Sequence, residues 1–199
     1  MAAPNTDLLI YAAHAAFWTS FGLARRLSRD QAPAAGQPPA AQETQTAPNS
    51  RAVLAVHFLA FGLMYWGVGV AVVPGQVPRW FPGQALAGTA VMAMGAALMC
   101  WAVSWFQSWR FRAKLDAGHR LATGGPFRFL RNPIYMGLNL LALGSALWVP
   151  TAPLWIAVVL MVAGSDLRAR SEEVVLARAF GAPYAEYRRR TRRFIPGVY

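Results

Sequence analysis

Apolar positions along the chain fall into long runs separated by polar, turn-rich segments. The first run, Leu8 to Ala24, is interrupted only by His14, Thr19 and Ser20 and closes with Arg25, Arg26 and Arg29. Its 17 residues sit at the short end of what spans a bilayer. The cations follow the run instead of preceding it, and no small-x-small cleavage site accompanies it, so it reads as a retained first helix and not a signal peptide. Residues Ser28 to Ser50 are Ala, Pro, Gln, Thr and Gly with almost no large apolar side chain, a composition expected of a linker.

Two further runs, Ala52 to Val73 and Gln84 to Phe106, are each long enough to span, and Pro74-Gly75 ends the first of them. Ile134 to Val149 is shorter: 16 residues give roughly 24 Å of helix against a hydrocarbon core of about 30 Å. Pro150-Thr-Ala-Pro153 then forces a turn, and Leu154 to Gly164 runs back. These two arms read as a helical hairpin in which Gly137 and Gly144, seven apart on one face, permit close approach. The second arm meets no stop signal at Ser165, so an amphipathic helix is expected to continue through Phe180, followed by the basic tail Arg188 to Arg193.

Composition agrees with that pattern. The 199-residue chain is 56% hydrophobic and 14% charged, ordinary for a small multi-span membrane protein and unusual for a soluble domain. The lone cysteine, Cys100, excludes an internal disulfide framework. A net charge of +11 raises nucleic acid as a partner, but the cations flank apolar helices and match anionic inner-leaflet lipid, so anchoring is the simpler reading. Eighteen of the nineteen cations flank the linker, the segment from Arg110 to Arg131, or the stretch after the hairpin, and Arg79 is the exception. Positive charge inside then predicts an outer N-terminus and a cytoplasmic C-terminus, in a bacterial inner membrane. Trp80, Trp148 and Trp155 would mark the outer interface, Trp105 and Trp109 the inner one.

Between the third and fourth runs lies His119-Arg-Leu-Ala-Thr-Gly-Gly-Pro-Phe-Arg-Phe-Leu-Arg-Asn-Pro-Ile-Tyr-Met-Gly137. Gly124-Gly125-Pro126 reverses the chain, and Asn132-Pro133 starts a helix. Backbone donors, aromatic rings and one imidazole are thereby placed at a helix N-terminus, a good location for an anionic or zwitterionic ligand. The spacing of this stretch is similar to the signature of the isoprenylcysteine carboxyl methyltransferase superfamily, which includes phospholipid and small-thiol methyltransferases. Arg168, Glu172-Glu173 and Phe180-Gly181-x-x-Tyr184-x-x-Tyr187 resemble its second block. Together the two blocks cover about the last 80 residues.

The apolar runs predict an all-α integral membrane protein of about five transmembrane helices with a C-terminal amphipathic helix, and the resemblance implies that the cytoplasmic stretch between the third and fourth runs is a cofactor-binding loop. It is expected to be one membrane domain, 1–199: first helix 1–27, linker 28–50, spans two and three 51–118, and methyltransferase core 119–199. The implied cofactor is S-adenosyl-L-methionine, held by His119, Leu121, Ala122, Phe127, Asn132, Pro133, Ile134, Tyr135 and Glu172, with Arg168 facing the substrate. Phe127 stands at the family's tyrosine position and Asn132 at its histidine position, so a proton-shuttling role at Asn132 is not expected. No catalytic nucleophile is implied, because methyl transfer proceeds in line between positioned reactants. The partners implied are the lipid bilayer and an apolar methyl acceptor, with neither nucleic acid nor metal. A non-catalytic scaffold of the same fold and an NADPH-dependent enzyme like the sterol reductases remain alternatives.

Residue types leave bland readings beside these. His119 also reads as a solvated loop histidine, Tyr135 as an interfacial anchor, and Arg168 with Glu172 as an i,i+4 surface pair. Against the last, charge within a turn of the membrane boundary tends to be functional. Glu173 reads as structural. His14 and His57, inside predicted spans, read as neutral, hydrogen-bonded bundle residues. Met92, Met94 and Met99 suggest a loosely shaped apolar pocket for the acceptor.

Overall fold

A computed structural model describes residues 6–29, 45–46, 50–105, 114–115 and 121–199. Five long helices follow the apolar runs: α1 (Leu9–Arg29), α2 (Ser50–Val72), α3 (Gln84–Trp105), α4 (Pro133–Trp148) and α5 (Ala152–Phe180). A sixth, α6 (Ala182–Arg190), closes the C-terminal region. Two-residue strands β1 (Gln45–Thr46) and β2 (Lys114–Leu115) pair antiparallel. The protein is an all-α integral membrane protein. Helices α2, α3 and α5 are each long and apolar enough to cross a bilayer, whereas α4 is the shorter apolar helix. Helix α1 has the length but tapers into Arg25, Arg26 and Arg29. Phe58, Leu59, Trp66, Leu86 and Val159 face outward, as lipid contact requires.

Three features differ from expectation. Helix α1 continues through Ser28, whose hydroxyl bonds the Ala24 carbonyl one turn back, so Ser28 and Arg29 belong to the first helix and not to the linker. The first half of the Arg-rich stretch expected as a tail, Arg188 to Arg190, is the last turn of helix α6, which is entered by a glycine bend at Gly181 (φ 55°) and Pro183 in its first turn. Trp148 is buried instead of lying at an exposed interface. Its indole N–H donates to the Asp7 carboxylate at 3.1 Å, and Arg79, the cation outside the charged clusters, donates to the same carboxylate. At that end Trp80 and Trp155 stack with centroids 5.9 Å apart. Gln84 donates to the carbonyls of Trp148 and Pro78, giving partners to chain-end acceptors that lipid cannot serve.

The glycines act between α3 and α4, not within the hairpin. A Cβ on Gly144 would lie 2.6 Å from the Gly88 carbonyl oxygen, and one on Gly137 would lie 2.9 Å from that of Gly95. The two pairs, seven residues apart on each antiparallel helix, bring backbone against backbone. Met92 and Met99 fill the notches beside Gly144 and Gly137 and are buried, while Met94 is exposed, so no methionine-lined acceptor pocket forms on α3.

Both bundle histidines have partners. Ser145 Oγ donates to the Leu141 carbonyl (2.7 Å) and so accepts from His14 Nε2 at 3.0 Å. His14 Nδ1 then accepts from the Tyr65 hydroxyl (3.2 Å), which itself accepts from the Trp18 indole N–H (2.7 Å). The chain of bonds runs one way, through a neutral imidazole, and ties α1 to α2 and α4. His57 lies between the Val53 carbonyl (3.3 Å) and Ser165 Oγ (3.4 Å).

Candidate functional site

The segment 121–135 folds as its residue types dictate. Gly125 adopts φ 55°, Pro126 starts a single 3₁₀ turn (Gly125–Arg128), and Pro133 opens α4 with Asn132 before it. The Trp105 ring lies so close over Gly124 and Gly125 that a Cβ on either would approach its atoms to 2.5 Å or less. The C-terminal segment pins the other side: Arg131 and Asn132 donate their backbone N–H groups to the carbonyls of Arg192 and Arg193 (2.7 and 3.2 Å). The Tyr187 hydroxyl donates to the Phe127 carbonyl at 2.8 Å.

These constraints build one cavity between the turn, the start of α4, the C-terminal half of α5 and α6. Leu121, Ala122, Phe127, Asn132, Pro133, Ile134, Tyr135 and Glu172 all line it, which brings together eight of the nine residues expected around the cofactor. His119, the ninth, lies outside the described residues. Arg131, Glu173, Leu176, Tyr184 and Tyr187 complete the wall. Sequence reasoning gave the two tyrosines no role, although they stand three apart just beyond a glycine bend, the signal that puts two rings on one face.

Glu172 Oε1 accepts from the Tyr135 hydroxyl at 2.5 Å and from Arg168 Nε at 3.2 Å, and Arg168 Nε also meets the Tyr135 hydroxyl at 2.6 Å. The i,i+4 pair is therefore part of a three-residue cluster, with Arg168 buried behind Tyr135 and Glu172 and outside the cavity wall. Glu173 is held by two arginines: its carboxylate receives Arg131 Nε and both Nε and Nη2 of Arg193, each at 3.0 Å. Arg193 reaches on to Asp166 at 2.9 Å, so one guanidinium bridges two carboxylates of α5. The Glu173 and Asp166 side chains raise Arg193 above its ordinary value, keeping it charged.

Among the described residues, four buried side-chain polar atoms have no hydrogen-bond partner. Two belong to this cavity: Asn132 Nδ2 and the Tyr184 hydroxyl. The other two, on Thr151 and Trp155, lie at the opposite end of the bundle. Burial, with the Glu173 carboxylate nearby, pushes the Tyr184 phenol well above its usual range, so it stays neutral.

A second, larger hollow of about 670 Å³ opens between α4 and α5. Met136, Leu140, Leu143, Val158 and Val162 line it, Phe194, Ile195 and Tyr199 form its end, and Asp166 is its charged residue. Arg193 stands between the two spaces, since it bonds Glu173 on one wall and Asp166 on the other. No group of three or more His, Cys, Asp or Glu side chains placed to hold a metal ion occurs among the described residues.

Compared with known proteins, residues 84–183 match a family model described as phospholipid methyltransferase, a span that runs from the start of α3 into α6. No curated protein matches the chain.

Proposed function

The chain belongs to the phospholipid methyltransferase family, and on that premise we propose that it is an S-adenosylmethionine-dependent methyltransferase that acts on an acceptor with a substantial apolar part. The observation that supports this most directly is the cavity at the start of α4, whose wall collects Asn132, Tyr135 and Glu172 and holds two buried polar atoms without partners.

The donor set fits the cofactor. Glu172 offers a carboxylate to ammonium or ribose hydroxyl groups, Asn132 an amide donor, and the Phe127 and Tyr135 rings offer faces to a cation or a nucleobase. When bound, S-adenosylmethionine supplies an electrophilic methyl whose bond to sulfur breaks, the pair staying on sulfur, as the acceptor's lone pair forms the new bond. Arg168 and Tyr135 fix the Glu172 carboxylate in one orientation before any ligand arrives. Arg168, one turn from Glu172 and buried behind it, acts through the carboxylate that it holds. The hollow between α4 and α5 offers the acceptor's apolar part a wall of methionine, leucine and valine in place of the expected α3 pocket. No side chain acts as nucleophile; the residues hold donor and acceptor at reacting distance and keep water out. The cofactor cavity and α6 face the cytoplasm, by the charge distribution.

Calorimetry of the detergent-solubilised protein with S-adenosylmethionine and, separately, NADPH tests this. Binding of S-adenosylmethionine is expected and binding of NADPH is not. Binding of NADPH in its place would replace the reading with a reductase, and binding of neither with a scaffold.

A further inference from the structure

The cavity wall is chemically divided. At one part stand Glu172 and Tyr135, with the Arg168 guanidinium behind them. At the other, Leu121, Tyr184 and Tyr187 belong to a separate apolar cluster with Phe180, and Leu176 packs against it. The bend at Gly181 turns α6 back against α5, and the three-residue spacing puts both tyrosines on its inner face.

The two tyrosines differ in one respect. The Tyr187 hydroxyl is engaged on the Phe127 carbonyl, which holds the turn. The Tyr184 hydroxyl, on a residue only 1% exposed, has no partner among the described residues and borders the cavity. Folded proteins leave few buried polar groups unpaired, and one retained on a cavity wall points to a ligand atom.

Resting on the cofactor reading above, we propose that Tyr184 is a cofactor-binding residue whose hydroxyl bonds the polar edge of the purine, while the Glu172 cluster takes the amino-acid end. A flat heteroaromatic ring with polar edge atoms suits a wall of leucine and aromatic side chains carrying one free hydroxyl. A zwitterion suits the carboxylate and guanidinium. Because the Tyr184 phenol stays protonated, it serves as a neutral donor or acceptor throughout the working pH range.

The test is calorimetry and thermal melting of the full-length protein in detergent, using S-adenosylmethionine and 5′-methylthioadenosine, which keeps the nucleoside and lacks the amino-acid arm. Tyr184→Phe should weaken both ligands by the same factor, about threefold to tenfold for one neutral hydrogen bond. Glu172→Gln should weaken S-adenosylmethionine and leave methylthioadenosine within about twofold. Without ligand, Tyr184→Phe should melt no lower than wild type, since it removes an unpaired polar atom, whereas Tyr187→Phe should melt lower. Tyr184→Phe binding both ligands as wild type does, weakening S-adenosylmethionine alone, or melting as low as Tyr187→Phe would each overturn the assignment. A wild-type protein that binds neither ligand would instead overturn the cofactor reading, and this assignment with it.

Discussion

Glu172→Gln isolates the charge of the cluster on the cavity wall while keeping its shape. Glu172 Oε1 accepts from Tyr135 and from Arg168, and both bonds are charge-assisted. The amide oxygen of glutamine still accepts, so each bond falls from the charged class to the neutral one, a loss of about 1 kcal/mol apiece. The carboxylate side chain is 27% exposed and the guanidinium 7%, so solvent replaces little of the lost attraction for the arginine. Together this is about 2 kcal/mol of stability, or a fall of about 4–8 °C in melting temperature for a chain of this size. The bound cofactor loses the same counter-charge, which should raise its Kd at least about tenfold, or about 1.4 kcal/mol. Titration calorimetry and a melting curve on one preparation read both. A lowered melting temperature with unchanged Kd would make Glu172 the counter-ion of Arg168 and no ligand group. No change in either would return it to a solvated surface pair and remove the reasoning from the cluster.

Gly144→Ala should destabilise by about 1–3 kcal/mol, because the new methyl meets the Gly88 carbonyl at 2.6 Å and backbone does not yield; Gly62→Ala, with open space at its Cβ, should be neutral, and melting curves compare the two. A topology reporter fused after Tyr199 should read cytoplasmic and one inserted at Thr151 periplasmic; a cytoplasmic signal at both would mean that the α4–α5 hairpin enters the membrane and returns.

The cores of the five long helices were legible because apolar run length and proline punctuation are local signals, and α4 begins at Pro133, where Asn132-Pro133 places it. The cavity was legible residue by residue for the same reason: its first wall is one continuous motif and Glu172 lies on a recognisable second block. What escaped were pairings across the chain. Nothing local to Asp7 announces Arg79, 72 residues on, and nothing local to His14 announces Ser145. Met92 and Met99 looked like pocket lining because a flexible apolar side chain is equally suited to a pocket and to a glycine notch, and only the opposing helix decides. Helix α6 was hidden by its arginines, of which Arg189 and Arg190 pair with Glu186 within the helix. Tyr184 was visible as a motif position, but a missing partner is a property of three-dimensional surroundings.

The glycine notches between α3 and α4 also bear on how this protein enters the bilayer. Helix α4, with 16 residues, is too short to cross by itself, whereas α3, with 22, is not. Lipid gives apolar helices little reason to associate, so a short segment is held by contact that only a matching neighbour supplies. Two notches spaced seven residues apart make that match a ruler: α4 seats on α3 at one depth, and a slip of one turn, about 5.4 Å, sets side chains where backbone must meet. Tyr135 rides on the first turn of α4 and Asn132 stands just before it, so the seating that retains this helix in the membrane also fixes the height of both cavity residues. The α3–α4 seating thus sets the depth of the short helix and the position of the cavity wall at its start together.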